Sequence, residues 1–220
     1  MRVAVVFDTP YSGWDHPQHQ AQMEREVAAW KVDEPEMEYQ IAHALQERGH
    51  EVRLLGVCDD LQYLVRCLGE WKPDLVFNGA EAFRGNEALE YLLPGLLEAE
   101  GYRYTGAPPL ALQMTRNKAI SKKVLSYFGI QVPSFVSYRL HEKVEQHPGL
   151  QFPLFVKPLQ TDGSAGIARA SLVQDMGALA DRVAFIQDRF GQGAIVEEFV
   201  EGRELYVSVL GNDESWRFCR

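Results

Sequence analysis

Three stretches of the chain hold residues whose types and spacing could do chemistry. FPLFVKP (152–158) runs directly into LQTDGSAGI (159–167), so Lys157 stands near the end of an apolar run and beside a Gly/Ser loop. Small residues let backbone N–H groups approach phosphate oxygens, and an ammonium adds a point charge. The spacing is neither that of a P-loop nor that of a dinucleotide fingerprint. A plain hairpin with a Gly-rich turn would read the same way. AIVEEFVEGRELYVSVLG (194–211) gathers Glu197, Glu198, Glu201 and Glu204 around a glycine turn. In a strand, Glu197 and Glu198 point to opposite faces, so one of them turns inward unless a ligand meets it. Carboxylates here could accept from ribose hydroxyls, and nearby backbone groups could meet an adenine edge. Solvated charges flanking a hairpin are the alternative. In TRNKAISKK (115–123), Lys118 opens a helix whose N-terminus also favours an anion. Lys122 and Lys123 read as solvated surface charges.

These residues need a scaffold, and its first part reads as alternating strand and helix. Val3 to Phe7 is all apolar, which suits a strand buried on both faces. Residues 11–34, with His16 and His19, read as a long loop or excursion. Asp33, Pro35 and Glu36 then mark a helix start, with Met37, Ile41, Ala44 and Leu45 on one face and Gly49 as its end. Glu51–Val57 and Asp74–Asn78 read as further strands, with a helix carrying Leu61, Leu64, Val65 and Leu68 between them. Residues 86–100 read as a helix kinked at Pro94. The alternation predicts a parallel sheet of about four strands, with loops near Asp8, Cys58 and Asn78 along its carboxyl edge.

After residue 107 the pattern changes to α+β. A helix is expected over 117–128 and another over 175–190, with strands over 152–157, 167–172, 194–200 and 205–210. A last strand begins near Trp216. A domain boundary falls near 107–116.

Net charge is −9, from 22 basic and 31 acidic residues, and no strong basic run occurs. Nucleic acid is therefore a poor partner, since phosphate neutralisation needs clustered Lys and Arg. Cys58, Cys67 and Cys219 show no metal spacing and suit reduced thiols in a cytoplasmic setting. No signal peptide or membrane span is apparent.

Taken together, FVKP, the Gly/Ser loop, VEEF-x-x-GREL and the upstream NK resemble the nucleotide-binding half of ATP-grasp enzymes. VFNGAEAFRGNEALEYLLPGLLEAEGYRYTGAPPLALQMTRNKAISKKVLSYFGIQVP (76–133) is similar to D-alanine–D-alanine ligases and their relatives. The YTG-x-x-x-x-A-L and K-x-x-x-K-x-x-L-x-x-x-G-I-x-V-P segments carry most of that likeness. The resemblance implies an α/β plus α+β chain. A parallel-sheet pre-ATP-grasp domain (1–107) would precede the small nucleotide-binding ATP-grasp subdomain (108–204), and 205–220 would begin a second ATP-grasp subdomain that reads as cut short. It implies that Lys118 and Lys157 contact phosphates, that Ser164 lies over them, and that Glu197 accepts from the adenine amino group. Phe199 and Val200 would lie beside the adenine, and Glu204 would take the ribose.

The departures bear on specificity. Thr161-Asp162-Gly163-Ser164-Ala165-Gly166 stands where relatives have E-G-S-S-V-G, and Glu81-Ala82 stands where they have His-Gly. The first glycine-rich loop is replaced by Asp8-Thr9-Pro10 and the 11–34 segment, in which Glu34 or Glu36 could supply the missing carboxylate. ATP binding therefore transfers better than D-alanine specificity. The family's magnesium ligands and transition-state arginine lie beyond the sequence, so no metal ligand is assigned within it.

Two functions of different class follow. In one, the complete protein is an ATP-dependent carboxylate–amine ligase working through an acylphosphate. It would use ATP, magnesium and a small amino-acid-like substrate, with a homodimer left open, and the 220 residues alone would be inactive. In the other, the chain is a nucleotide-binding or interaction module without catalysis.

Overall fold

A computed structural model of the chain describes residues 1–9, 37–212 and, by their backbone, 217–219. The expectations placed on 11–34, Asp33, Glu34, Pro35, Glu36 and Trp216 lie outside the described residues. The chain divides into two units, Met1–Ser121 and Lys122–Arg220.

The first unit is built on β1 (Arg2–Asp8), β2 (Glu51–Val57) and β3 (Leu75–Asn78), ordered β2-β1-β3 with parallel neighbours. Residues 3–7 are buried because both faces of the sheet are covered. Ala4 and Val6, with Leu55 and Val57, meet Leu64 and Leu68 of α2 (Leu61–Trp71) and Leu93 and Leu97 of α3 (Leu92–Ala99). Val5 and Phe7 meet Ala42 of α1 (Met37–Glu47) on the other side. In α1 the packed face is Tyr39, Ile41, Ala42 and Leu45, and Met37 is exposed. Parallel strands buried this way are near-continuously apolar. Asp60 caps α2 by accepting from the Tyr63 N–H.

Two expectations are corrected in this unit. Among the described residues the sheet has three strands rather than about four, and Tyr104 adds an isolated parallel bridge to Val76. Residues 86–100 are not one kinked helix. A 3₁₀ turn at Glu87–Leu89 precedes α3, and Pro94 sits in the first turn of α3, where its missing N–H has no intrahelical partner to lose. The 107–116 stretch holds a further helix, α4 (Pro109–Arg116), followed at once by α5 (Lys118–Tyr127), within which the two units divide.

The second unit holds β4 (Phe135–Tyr138), β5 (Leu154–Pro158), β6 (Leu172–Val173) and β7 (Ala194–Glu198), an antiparallel sheet ordered β4-β7-β5-β6. One face packs on α6 (Met176–Phe190): Tyr138, Leu154, Val156, Val173, Ala194 and Val196 meet Leu179, Val183 and Ile186. Asp175 caps α6 by accepting from Ala178, and Gly191 ends it in the left-handed region at φ +60°. The strand expected over 167–172 shrinks to β6, because Arg169–Ser171 winds into a 3₁₀ turn. The 205–210 strand is only β8 (Ser208–Leu210), exposed and paired antiparallel with β9 (Arg217–Cys219). Among the described residues, no helix is long and apolar enough to cross a membrane.

Candidate functional site

The face of the second sheet turned away from α6 carries the charge. Register puts Phe135 and Phe155 on either side of Glu197, in β4 and β5, with Lys157 two residues along β5 on the same face. Glu197 is buried, at 7% exposure. Lys157 Nζ donates to its Oε1. Lys122, from α5, places Nζ 2.9 Å from Oε2. That approach satisfies charge but is misaligned for hydrogen bonding, and Oε2 is left buried with no hydrogen-bond donor. Each ammonium also stands over a ring, Lys122 5.8 Å from the Phe135 centroid and Lys157 5.9 Å from that of Phe155. Two lysines on one carboxylate leave a net positive charge and one unsatisfied acceptor. Such a cluster can take an anion and, beside it, a donor.

Lys122 corrects the sequence reading. Its side chain is only 14% exposed, not a solvated surface charge. The signal was available: Lys122 follows Lys118 by four residues, and helical neighbours at that spacing share a face.

The other candidate residues are placed as follows. Phe199 is partly exposed and its ring lies 6.3 Å from that of Phe155, at a tilt of 31°. Its N–H donates to the Pro153 carbonyl. Val200 is exposed, and its N–H has no partner among the described residues. Glu204 is exposed in the irregular run between β7 and β8. Glu198 faces away from Glu197, exchanging contacts with Ser134: its N–H donates to the Ser134 carbonyl, and its carboxylate accepts from the Ser134 N–H. Ser164, exposed, adopts φ +62° directly after Gly163 at +63°. Lys118 opens α5 in the first unit. The helix N-terminus there is already capped, since Asn117 Oδ1 accepts from the N–H groups of Ala119 and Ile120, each at 3.1 Å.

The 159–167 loop is tied at both feet. At the first, Leu159 donates to the Gly193 carbonyl, Gln160 N–H to Gln192 Oε1 at 2.7 Å, and Gln192 Nε2 to Thr161 Oγ1. A side chain at Gly193 would collide with the Tyr138 carbonyl. At the second foot, Arg182 donates to the Gly166 carbonyl and to Ser171 Oγ. A Cβ on Gly166, at φ +74°, would fall within 2.8 Å of Phe190 and Pro158.

Residues 124–218 match the family described as D-ala D-ala ligase C-terminus. An uncharacterized protein of Sinorhizobium fredii is 35% identical over 182 residues, covering 79% of this chain and 52% of that protein. The D-alanine–D-alanine ligase of Aquifex aeolicus is 32% identical over 171 residues, covering 77% of this chain and 55% of the ligase. The chain is D-alanine–D-alanine ligase-like, of the ATP-grasp type. It spans about half the length of these curated relatives. A solved D-alanine–D-alanine ligase of Bacillus anthracis superposes with a TM-score of 0.65 at 19% identity, over 99% of this chain and 68% of that one. At that identity the likeness shows the fold alone. A D-alanine–D-alanine ligase-like fold thus joins the parallel and antiparallel sheets in one chain. Among its described residues, no group of three or more His, Cys, Asp or Glu side chains could hold a metal ion.

Proposed function

We propose that the complete protein is an ATP-dependent carboxylate–amine ligase, and that the residues described here bind its ATP. The observation that carries this is Glu197: a buried carboxylate held between two lysines, with Oε2 lacking a hydrogen bond. Oε2 meets the Lys122 ammonium at 2.9 Å but out of line for a hydrogen bond, so it can still accept from a donor such as the exocyclic amino group of adenine. Phe155 and Phe199 offer ring faces for the base, Val200 a free N–H for its edge, and Glu204 a carboxylate for the ribose hydroxyls. Lys157 and Lys118 would neutralise phosphates, and the loop around Ser164 would present N–H groups to them. In this assignment 1–107 is the pre-ATP-grasp domain, 108–204 the nucleotide-binding subdomain, and 205–220 the start of a second subdomain.

The reaction balances simply. A carboxylate oxygen attacks the γ-phosphorus and ADP leaves, giving an acylphosphate. An amine then attacks the acyl carbon, inorganic phosphate leaves, and the amine loses a proton. The chain's share is charge neutralisation and positioning. Magnesium would supply further neutralisation in the complete protein. The described residues do not form a site for it, so no step is assigned to it here.

The alternative is nucleotide binding without catalysis. Calorimetric titration of the complete protein with ATP, paired with an assay for ADP release on adding D-alanine and magnesium, separates the two. ATP binding with amino-acid-dependent ADP release supports the ligase. Binding without release supports the module, and no binding to ATP overturns both.

A further inference from the structure

Arg182 is a cation with an unusual setting. It is 8% exposed, and no acidic side chain pairs with it among the described residues. Burial pulls its guanidinium below the usual range, and Nε has no hydrogen-bond partner. A buried charge without a counterion costs several kcal/mol, so whatever it holds must matter to the fold or the site. Nη2 donates to the Gly166 carbonyl and, at 3.0 Å, to Ser171 Oγ. Ser171 Oγ also accepts from the Ala168 N–H at 3.1 Å. One guanidinium nitrogen therefore ties together the backbone leaving the Gly/Ser loop and the 3₁₀ turn after it. The Phe185 ring, 4.7 Å away, supplies a cation–π contact in place of a carboxylate.

A carboxylate partner at this spot would cancel the positive charge beside the loop. The aromatic ring stabilises the guanidinium and leaves that charge in place. Meanwhile the loop tip keeps donors free: the N–H groups of Gly163, Ser164 and Gly166 have no partner among the described residues. Gln192 fixes the opposite foot through both ends of its amide. The feet are thus pinned while the tip stays unspent.

We propose that Arg182 is a positioning residue which, with Gln192 at the other foot, holds the 160–167 loop so that its tip N–H groups face the phosphates of a nucleotide. This rests on the phosphate-loop reading above. Arg182 acts through the Gly166 carbonyl and Ser171, and touches no nucleotide itself.

The test compares ATP with adenosine, which has no phosphate for the loop to meet, and follows amide exchange at Ala165, Ile167 and Ala168, whose N–H groups are hydrogen-bonded. The unaltered chain is expected to bind ATP more tightly than adenosine. Arg182→Met keeps the apolar stem and removes both hydrogen bonds. It should speed exchange of these amides at least about 5-fold and weaken ATP binding about 5- to 20-fold, the worth of one or two hydrogen bonds. Adenosine binding should not change. Arg182→Lys should recover part of both losses. A folded Arg182→Met chain with unchanged exchange and unchanged ATP affinity overturns the proposal, and so does an equal loss for adenosine. Absence of any ATP preference in the unaltered chain would instead sink the phosphate-loop reading, with the exchange data still deciding whether Arg182 pins the loop. Should Arg182→Met fail to fold, Ser171→Ala and Gln192→Ala each loosen one foot. Faster loop exchange with a selective ATP loss supports the proposal, and unchanged exchange in both overturns it.

Discussion

The two sheets use the same kind of residue to different ends. Along β1, five successive residues are buried, because helices cover both faces of the parallel sheet. Along β5, burial alternates: Leu154, Val156 and Pro158 are buried, and Phe155 and Lys157 are half-buried. A sheet covered on both sides has no face left for charge. A sheet packed on one side keeps a second face, and there Lys157, Glu197 and Lys122 meet. Charge gathers where packing is one-sided, and the doubly covered sheet is apolar from Val3 to Phe7 along its central strand.

That contrast can be broken by substitution. The largest effect is expected at Leu64, fully buried in the first unit. Leu64→Ala should cost about 2–5 kcal/mol in urea unfolding, and leave ATP affinity of the folded protein untouched. A matching loss of affinity would show that the first sheet bears on binding as well. Lys157→Ala should reverse the pattern. ATP binding should weaken by about 1.5–3 kcal/mol, the scale of a charge-assisted contact. Stability should suffer less, since Lys122 still neutralises Glu197. Calorimetry alongside urea unfolding reads both quantities. A smaller difference separates two carboxylates. Glu204→Ala should reduce ATP affinity more than Glu198→Ala, because Glu198 is already occupied by the Ser134 N–H. The opposite order would move the ribose contact to β7. The smallest effect is a pH slope in the first unit. Tyr104 donates to Glu98 Oε1 at 2.6 Å, and burial first, then that bond and the Glu98 charge, push its pKa from 10.0 up to about 12. The folded state holds this proton more tightly than the unfolded state. The added stability is therefore full below pH 10 and is lost as pH rises towards 12. Tyr104→Phe should flatten the fall in urea midpoint between about pH 10 and 12.

Elements with long, one-sided patterns were legible in the sequence. Glu51–Val57 matches β2 at both ends, and the helices expected over 117–128 and 175–190 are α5 and α6 to within a residue. Short or interrupted patterns were not. β4 has four residues after a proline, too few for alternation to register. Pro94 suggests a kink in a continuous helix, and only the separate 3₁₀ turn before α3 explains why it fits a first turn instead. Within the site, Lys157 and Glu197 were singled out from their surroundings in sequence, and the structure pairs them. Lys122 was passed over because two adjacent lysines look like a solvated face. Its partner is 75 residues away in sequence (197 − 122), on a strand no local pattern connects to α5. Arg182 gave no signal at all, since an arginine inside an amphipathic helix ordinarily marks the wet side.

The two-residue alternation of β5 also sets where this gene can tolerate an added codon. One extra residue between Leu154 and Lys157 would exchange the strand's two faces, sending an ammonium into the packed layer and an aliphatic chain out among the ions. The same codon inserted in the irregular stretch between β4 and β5 would lengthen a connection and leave the strand in phase. A library of single-codon insertions should therefore lose nucleotide binding at each point along 154–157, yet keep it across most of 140–150.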